Sequence, residues 1–221
     1  YLNSISSLKN NNPKWIFLQE PVEDWENIRD KEGTTMLQKF YNNQEKYAFS
    51  FQIMAYISRL AKLKKAVDEN PGAIIVTERS LLTDKYVFAK MLYDSGKIEE
   101  VNYQIYQKWF DTFVNDYPIS GFVYVNTEPN VCCKRVNKRS RNGEDTISIE
   151  YLKSCHEYHS QMMDIQNDVL TIQGNKEFED EKHNWTLKII DWTEKKYNLF
   201  HNISSNNETK NYDCFSDIPL L

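Results

Sequence analysis

Four short apolar runs constrain this chain more than any other feature: WIFLQE at 15–20, IIVTE at 74–78, FVYVN at 122–126 and VLTIQ at 169–173. Each has the length and composition of a buried parallel strand, and the first is closed by Pro21. The stretches between them read as helices. Residues 44–67 place Phe49, Ile53, Tyr56, Leu60 and Leu63 at spacings of three and four, an amphipathic pattern that stops before Asn70-Pro71-Gly72. Residues 83–93, 101–117, 149–168 and 183–197 predict further helices. Strands that alternate with helices predict an α/β fold with a parallel sheet and right-handed crossovers. In such folds ligands sit at the carboxyl ends of the strands, where helix amino termini present free amides. Glu20 and Glu78 both fall at strand ends.

Composition narrows the class. A chain of 221 residues with 40% apolar and 14% aromatic residues can bury one substantial core, so a single domain is expected over 1–197, with a polar, poorly ordered tail at 198–221. A formal charge of -5 provides no overall attraction for a nucleic acid polymer or an anionic membrane. With no long apolar run and no signal-peptide pattern near Tyr1, the expected location is intracellular: cytoplasmic, or mitochondrial had a transit peptide preceded the chain. Cys132, Cys133, Cys155 and Cys214 show no metal-ligand spacing and are expected as free thiols.

Four constellations carry the chemistry. In Glu20-Pro21-Val22-Glu23-Asp24-Trp25, a strand-end carboxylate can accept the proton of an attacking hydroxyl while the indole stacks on a base. The plain structural alternative is a turn-capping glutamate beside a core tryptophan. In Glu78-Arg79-Ser80 the carboxylate suits hydrated magnesium and the guanidinium suits phosphate, although a surface ion pair would look the same. Residues 134–141 hold three arginines and two lysines, with Arg135 and Arg139 one helical turn apart. Guanidinium forks bind phosphate oxygens in pairs, so this segment suits a lid over a triphosphate; a solvated basic helix is the rival reading. Gln52, Ala55 and Arg59 share one helical face, from which an amide and a guanidinium could read the edge of a base.

Taken together in this order, EPVEDW, YAFSFQ, ERS, DKYVFA, RVNKRSRNGED and IEYL resemble the deoxynucleoside kinase family, particularly its deoxycytidine/deoxyguanosine kinase branch, from Tyr1 to about Tyr197. The resemblance implies a three-layer P-loop kinase-like fold, a parallel sheet flanked by helices, with its first strand, which would sit in the middle of the sheet, missing together with the P-loop, and with an arginine-rich lid at about 135–146. It implies an enzyme of nucleotide salvage that moves the γ-phosphoryl of ATP to the 5′-hydroxyl of a deoxynucleoside with Mg2+. Glu20 would be the general base, Arg79 would support it and the reacting phosphate, and Glu78 would help hold the metal. Trp25, Phe51 and Phe88 would enclose the base, with Val22, Leu37 and Tyr151 completing the pocket and Gln52 bonding the Watson–Crick edge. Tyr41 and Glu144 would hold the 3′-hydroxyl. Arg135, Arg139 and Arg141 would embrace the phosphates, and the loop at 174–178, with Glu177 and Phe178, would grip adenine. Ala55, Arg59 and Asp84 match the cytosine- and purine-accepting branch, which favours deoxycytidine, deoxyadenosine or deoxyguanosine; an apolar neighbour would suit a thymine methyl better. A homodimer is implied, with the helix at 101–117 and its Trp109 and Phe110 as a candidate interface.

One departure stands out. The glycine-rich phosphate loop of this family is absent from the sequence, and Tyr1-Leu2-Asn3 resembles the helix that follows it. The expectation is therefore a truncated, inactive piece of an active enzyme. Thymidine or nucleoside monophosphate kinase activity, and a non-catalytic nucleotide-binding module, are the alternatives.

Overall fold

The computed structural model describes residues 13–139 and 147–206. All four expected strands form: β1 (Trp15–Leu18), β2 (Ile74–Thr77), β3 (Phe122–Asn126) and β4 (Val169–Gln173). They pair in parallel, as expected, and form two ladders among the described residues, as a sheet without its middle strand would. Trp15 faces Ile74 in the first, and Phe122 faces Val169 in the second.

Several helices start where short polar side chains cap them. Following α1 (Val22–Asn27), α2 (Met36–Asn42) opens on a reciprocal box: Thr35 Oγ1 accepts the Gln38 N–H at 3.2 Å, and Gln38 Oε1 accepts the Thr35 N–H at 3.0 Å. The long α3 (Gln44–Glu69) begins at Asn43, whose Oδ1 accepts the Lys46 N–H at 3.1 Å, and ends before Asn70 as its stop signal predicts.

The buried face of α3 is rotated from the one its apolar spacing suggests. Ala48, Phe51, Gln52, Ala55, Tyr56, Arg59 and Ala66 are buried, while Phe49, Ile53, Leu60 and Leu63 only flank the core. A pattern that counts apolar residues misplaces this face because Gln52 and Arg59 point inward.

The helix expected over 83–93 is broken in three: α4 (Leu81–Thr83), a π-helical turn (Asp84–Ala89) and α5 (Lys90–Asp94). A π turn adds one residue to the register and rotates the succeeding helix by about 100°. Asp84, Val87 and Ala89 are all buried.

Beyond it lie α6 (Glu100–Phe113), a 3₁₀ turn (Val114–Asp116), α7 (Pro129–Arg139), α8 (Ile149–Asp164) and α9 (Phe178–Asn206). α8 stops short of the expected Asp168 because Val169 already belongs to β4. α9 continues past Asn198, where a poorly ordered tail was expected, to Asn206.

Two apolar clusters organise these elements. The larger joins α1–α6 and the π turn around Phe40, Phe51, Tyr56, Tyr106 and Phe110, with Met162 of α8. The smaller is built on Trp185 and Ile189 of α9 with Ile172 of β4, and Trp15, Phe17, Val123 and Leu170 pack against it. One helix therefore underlies both strand pairs. Among the described residues no helix is long and apolar enough to cross a membrane, and Cys132, Cys133 and Cys155 are free thiols.

Close packing at the foot of α9 requires a glycine. A Cβ at Gly121 would run into the Trp192 ring and lie 3.0 Å from the Asp168 carbonyl oxygen, beside the Lys196–Asp168 ion pair. Gly121→Ala is expected to overpack this seam by about 1–3 kcal/mol. Thermal unfolding should show a melting temperature lower by roughly 2–10 °C.

Candidate active site

The site is built where β1 and β2 end side by side. The Glu78 N–H continues the ladder to the Leu18 carbonyl at 2.8 Å, and Glu78 Oε2 accepts a long 3.3 Å bond from the Glu20 N–H. Two carboxylates from distant parts of the sequence thus meet at one strand edge.

Arg79, the next residue, has a φ of 63°. A left-handed backbone is unfavourable for a residue with a side chain and is retained only where the surroundings enforce it. Here Thr77 Oγ1 donates to the Arg79 carbonyl at 2.5 Å, and the kink aims the guanidinium back over the strand ends. Nη1 donates to Glu20 Oε1 at 2.8 Å, while the guanidinium lies 4.7 Å from the centroid of the Phe88 ring. Partial burial opposes its charge, but Glu20 and Asp84 outweigh that opposition and raise the Arg79 pKa further.

A second arginine reaches the same oxygen from the other side. Arg59, on α3, donates through Nη2 to Glu20 Oε1 at 2.9 Å, through Nε to Asp84 Oδ2 at 2.8 Å and through Nη1 to the Glu78 carbonyl at 2.7 Å. Its side chain is 5% exposed and that of Asp84 is 2% exposed. Burial disfavours the Arg59 cation, yet Asp84 and then Glu20 outweigh it and raise its pKa; burial likewise pushes the Asp84 carboxyl upward against the pull of Arg59. Asp84 stands where α4 passes into the π turn, its N–H bonded to the Ser80 carbonyl at 3.1 Å.

An aromatic wall stands beside this network. Trp25 and Phe51 meet edge to face at 5.5 Å, and Phe51 stacks on Phe40 at 4.4 Å. Trp25 is anchored by a 2.9 Å bond from its Nε1 to Ser58 Oγ. Leu37 and Ala55 are buried in the same cluster, and Val22 and Phe88 pack against it. Gln52 is 3% exposed, and its Oε1 has no partner among the described residues. A buried amide oxygen without a donor carries a desolvation penalty that a ligand's N–H would relieve.

Tyr41 and Tyr151 lie on a cleft of about 360 Å³, which Asn42, Asn43, Lys97 and Ser148 also line. Burial pushes the Tyr151 phenol well above its ordinary value and the Cys155 thiol to about 11.

The basic segment looks to another part of the fold. Arg135 and Arg139 lie on α7, and Arg135 Nη2 donates to the Lys176 carbonyl at 2.8 Å in the loop after β4. That loop is also tied to the start of α7, where Asn175 Oδ1 accepts the Glu128 N–H at 2.8 Å. Glu177 is exposed there, and Phe178 opens α9. Arg141 and Glu144 lie outside the described residues.

Two residues that shape the site carry no signal in the sequence. Ser58 fixes the indole of Trp25, and His159 of α8 meets Phe88 edge to face at 5.7 Å. Neither belongs to a motif. Both are recognisable only once α3 and α8 have packed.

The arrangement presents a carboxylate flanked by two guanidiniums beside an aromatic wall that holds an unpaired amide. It can accept a proton from a bound alcohol while positive charge stands ready for an anionic reactant. Sequence comparison agrees with this chemistry. Among the relatives, a probable deoxycytidine kinase of fowlpox virus (strain NVSL) is 35% identical over 175 residues, which cover 75% of this chain and 71% of the relative. The deoxycytidine kinase of Homo sapiens is 30% identical over 206 residues, 79% of each chain. A mitochondrial deoxyguanosine kinase of Xenopus laevis is 27% identical over 170 residues, covering 69% of this chain and 64% of the relative. The deoxynucleoside kinase family matches residues 4–195, and with the strand-end carboxylate and its two arginines in place, this chain belongs to that family.

Proposed function

We propose that this chain carries the acceptor site of an enzyme that transfers the γ-phosphoryl of ATP to the 5′-hydroxyl of a deoxynucleoside, with deoxycytidine, deoxyadenosine and deoxyguanosine as the favoured acceptors. The observation that carries this reading is the position of Glu20, whose Oε1 is shared by Arg59 and Arg79 at 2.9 and 2.8 Å. Relatives named as deoxycytidine and deoxyguanosine kinases support the choice of acceptor.

In this reading the acceptor base lies against Trp25, Phe51 and Phe88, and the orphaned Gln52 Oε1 takes a hydrogen bond from its edge. Asp84 and Arg59 supply a polar, charged border that suits cytosine or a purine and disfavours a thymine methyl. Tyr41, at the cleft it shares with Tyr151, holds the sugar side together with Glu144. Glu20 takes the proton of the 5′-hydroxyl as its oxygen bonds to the γ-phosphorus. The bond from that phosphorus to the β,γ-bridging oxygen breaks, so that a deoxynucleoside monophosphate and ADP leave. Arg79 spreads the charge of the phosphoryl group in transit, and the lid arginines Arg135, Arg139 and Arg141 close over the donor phosphates.

The residues present fit magnesium. Glu78 is an exposed carboxylate at the strand end, and magnesium is commonly held by one or two carboxylates with water and substrate phosphates completing its shell. When bound, the ion supplies charge neutralisation at the phosphates. A homodimer also fits the chain: Val101, Ile105 and Trp109 form a stripe at helical spacing on α6 and are 65%, 43% and 47% exposed. Phe110 is buried and belongs to the core instead.

Three measurements test the proposal. Glu20→Gln, which keeps the shape and removes the proton acceptor, is expected to lower kcat by about 10²–10⁴-fold while nucleoside binding survives. Turnover within a few-fold of the parent would remove Glu20 from the mechanism. Deoxycytidine should be a far better acceptor than its monophosphate or thymidine in a coupled ADP-release assay, and preference for the monophosphate would point to a monophosphate kinase. Trp109→Asp should shift sedimentation from dimer to monomer; an unchanged coefficient would assign the assembly to another surface.

A further inference from the structure

The family resemblance assigns Arg59 to the base, but its bonds also reach the proton acceptor. Of the three acceptors it engages, one is Glu20 Oε1, one is the backbone carbonyl of Glu78 and one is Asp84 Oδ2. These belong to three different elements: the turn after β1, the end of β2 and the π turn. The guanidinium is 5% exposed and projects from the middle of α3, the 26-residue helix that also carries Gln52 and Ala55.

We propose that Arg59 is a positioning residue for the Glu20 carboxylate, coupling Asp84 on the nucleobase side of the site to the proton acceptor at its centre. This rests on Glu20 being the base of the reaction. The physical case has three parts. First, a planar fork with fixed donor directions sets the position of each acceptor it touches, which an ammonium on a flexible stem does not. Arg59 therefore transmits a displacement of Asp84 to Glu20 without any bond between the two carboxylates. Second, the other arginine on Glu20 is a weaker anchor: the Arg79 side chain is 43% exposed and its backbone sits at a φ of 63°. Third, Glu20 and Asp84 are 9% and 2% exposed, so removing the cation between them leaves Asp84 buried without its ion-pair partner and Glu20 held by the more exposed Arg79.

The consequence is a division of labour. A base that satisfies Asp84 holds the Arg59 fork in register, and the fork holds Glu20 for the 5′-hydroxyl. A poorly matched base disturbs the same fork, so acceptor discrimination appears in kcat as well as in KM.

A double-mutant cycle between positions 59 and 20 tests this, using the parent enzyme's best deoxynucleoside and phosphate transfer from labelled ATP. Arg59→Lys retains the charge and loses the fork. It is expected to unfold cooperatively near the parent temperature, to keep KM within about threefold and to lose kcat by roughly 10- to 100-fold, the scale of a displaced catalytic group. In an E20Q background the same lysine should lower kcat by less than about threefold, because the group it positions no longer accepts a proton. A purely structural role would lower kcat by the same factor in both backgrounds. Should R59K fail to fold, Arg59→Met combined with Asp84→Asn removes the cation with one of its buried anions, and the cycle is repeated with that pair. An R59K enzyme with kcat within threefold of the parent, or a loss that adds in full to that of E20Q, overturns the coupling while leaving Glu20 as the base. Near-parent turnover by E20Q alone overturns the base assignment, and the coupling with it.

Discussion

The site depends on one buried guanidinium. Arg59 gathers the turn after β1, the end of β2 and the π turn, because three acceptors from those elements converge on its fork at 2.7–2.9 Å. A cation out of water is tolerated only when its hydrogens are matched by acceptors and its charge by nearby anions. Glu20 and Asp84 supply the anions, and the Glu78 carbonyl supplies a further acceptor. Two features of the fold serve that requirement. Asp84 is buried at the junction of α4 and the π turn, and α3 rotates away from the face its apolar spacing suggests so that Arg59 and Gln52 can point into the protein.

The two strand pairs raise a separate packing problem, which α9 resolves. Trp185 and Ile189 accept side chains from β1, β3 and β4 into one cluster, so the ladders share an apolar floor although no strand pairing joins them among the described residues. Its far end is locked by the Lys196–Asp168 pair and by Trp192 over Gly121. The carboxyl ends of β1 and β2 carry Glu20 and Glu78, and the loop beyond the carboxyl end of β4 receives Arg135, so the acceptor chemistry and the basic segment each lie beyond strand ends that share one floor.

Strain and polarity are concentrated at the same place. Arg79 occupies a left-handed backbone conformation, Gln52 Oε1 is buried without a donor among the described residues, and the helical register breaks across Asp84–Ala89. Departures of this kind persist where a site needs them, since a chain optimised for stability alone would replace each one. Local rules of sequence reading fail at these points for that reason: they describe the average preference of a residue, and each of these residues is held away from its average by partners distant in sequence.

What the sequence determined alone was the list of parts. Apolar runs at 15–20, 74–78, 122–126 and 169–173 became β1 to β4 because burial of such runs on a parallel ladder is their best outcome, and the order of motifs named the family. The family resemblance had already grouped Arg59 with Asp84. Only the tertiary structure decided that this arginine also grips Glu20, 39 positions away, and that Ser58 fixes Trp25. Hydropathy and spacing are properties of neighbours along the chain. Which acceptor a buried guanidinium finds depends on where three separate elements come to rest in space, and no local pattern records that.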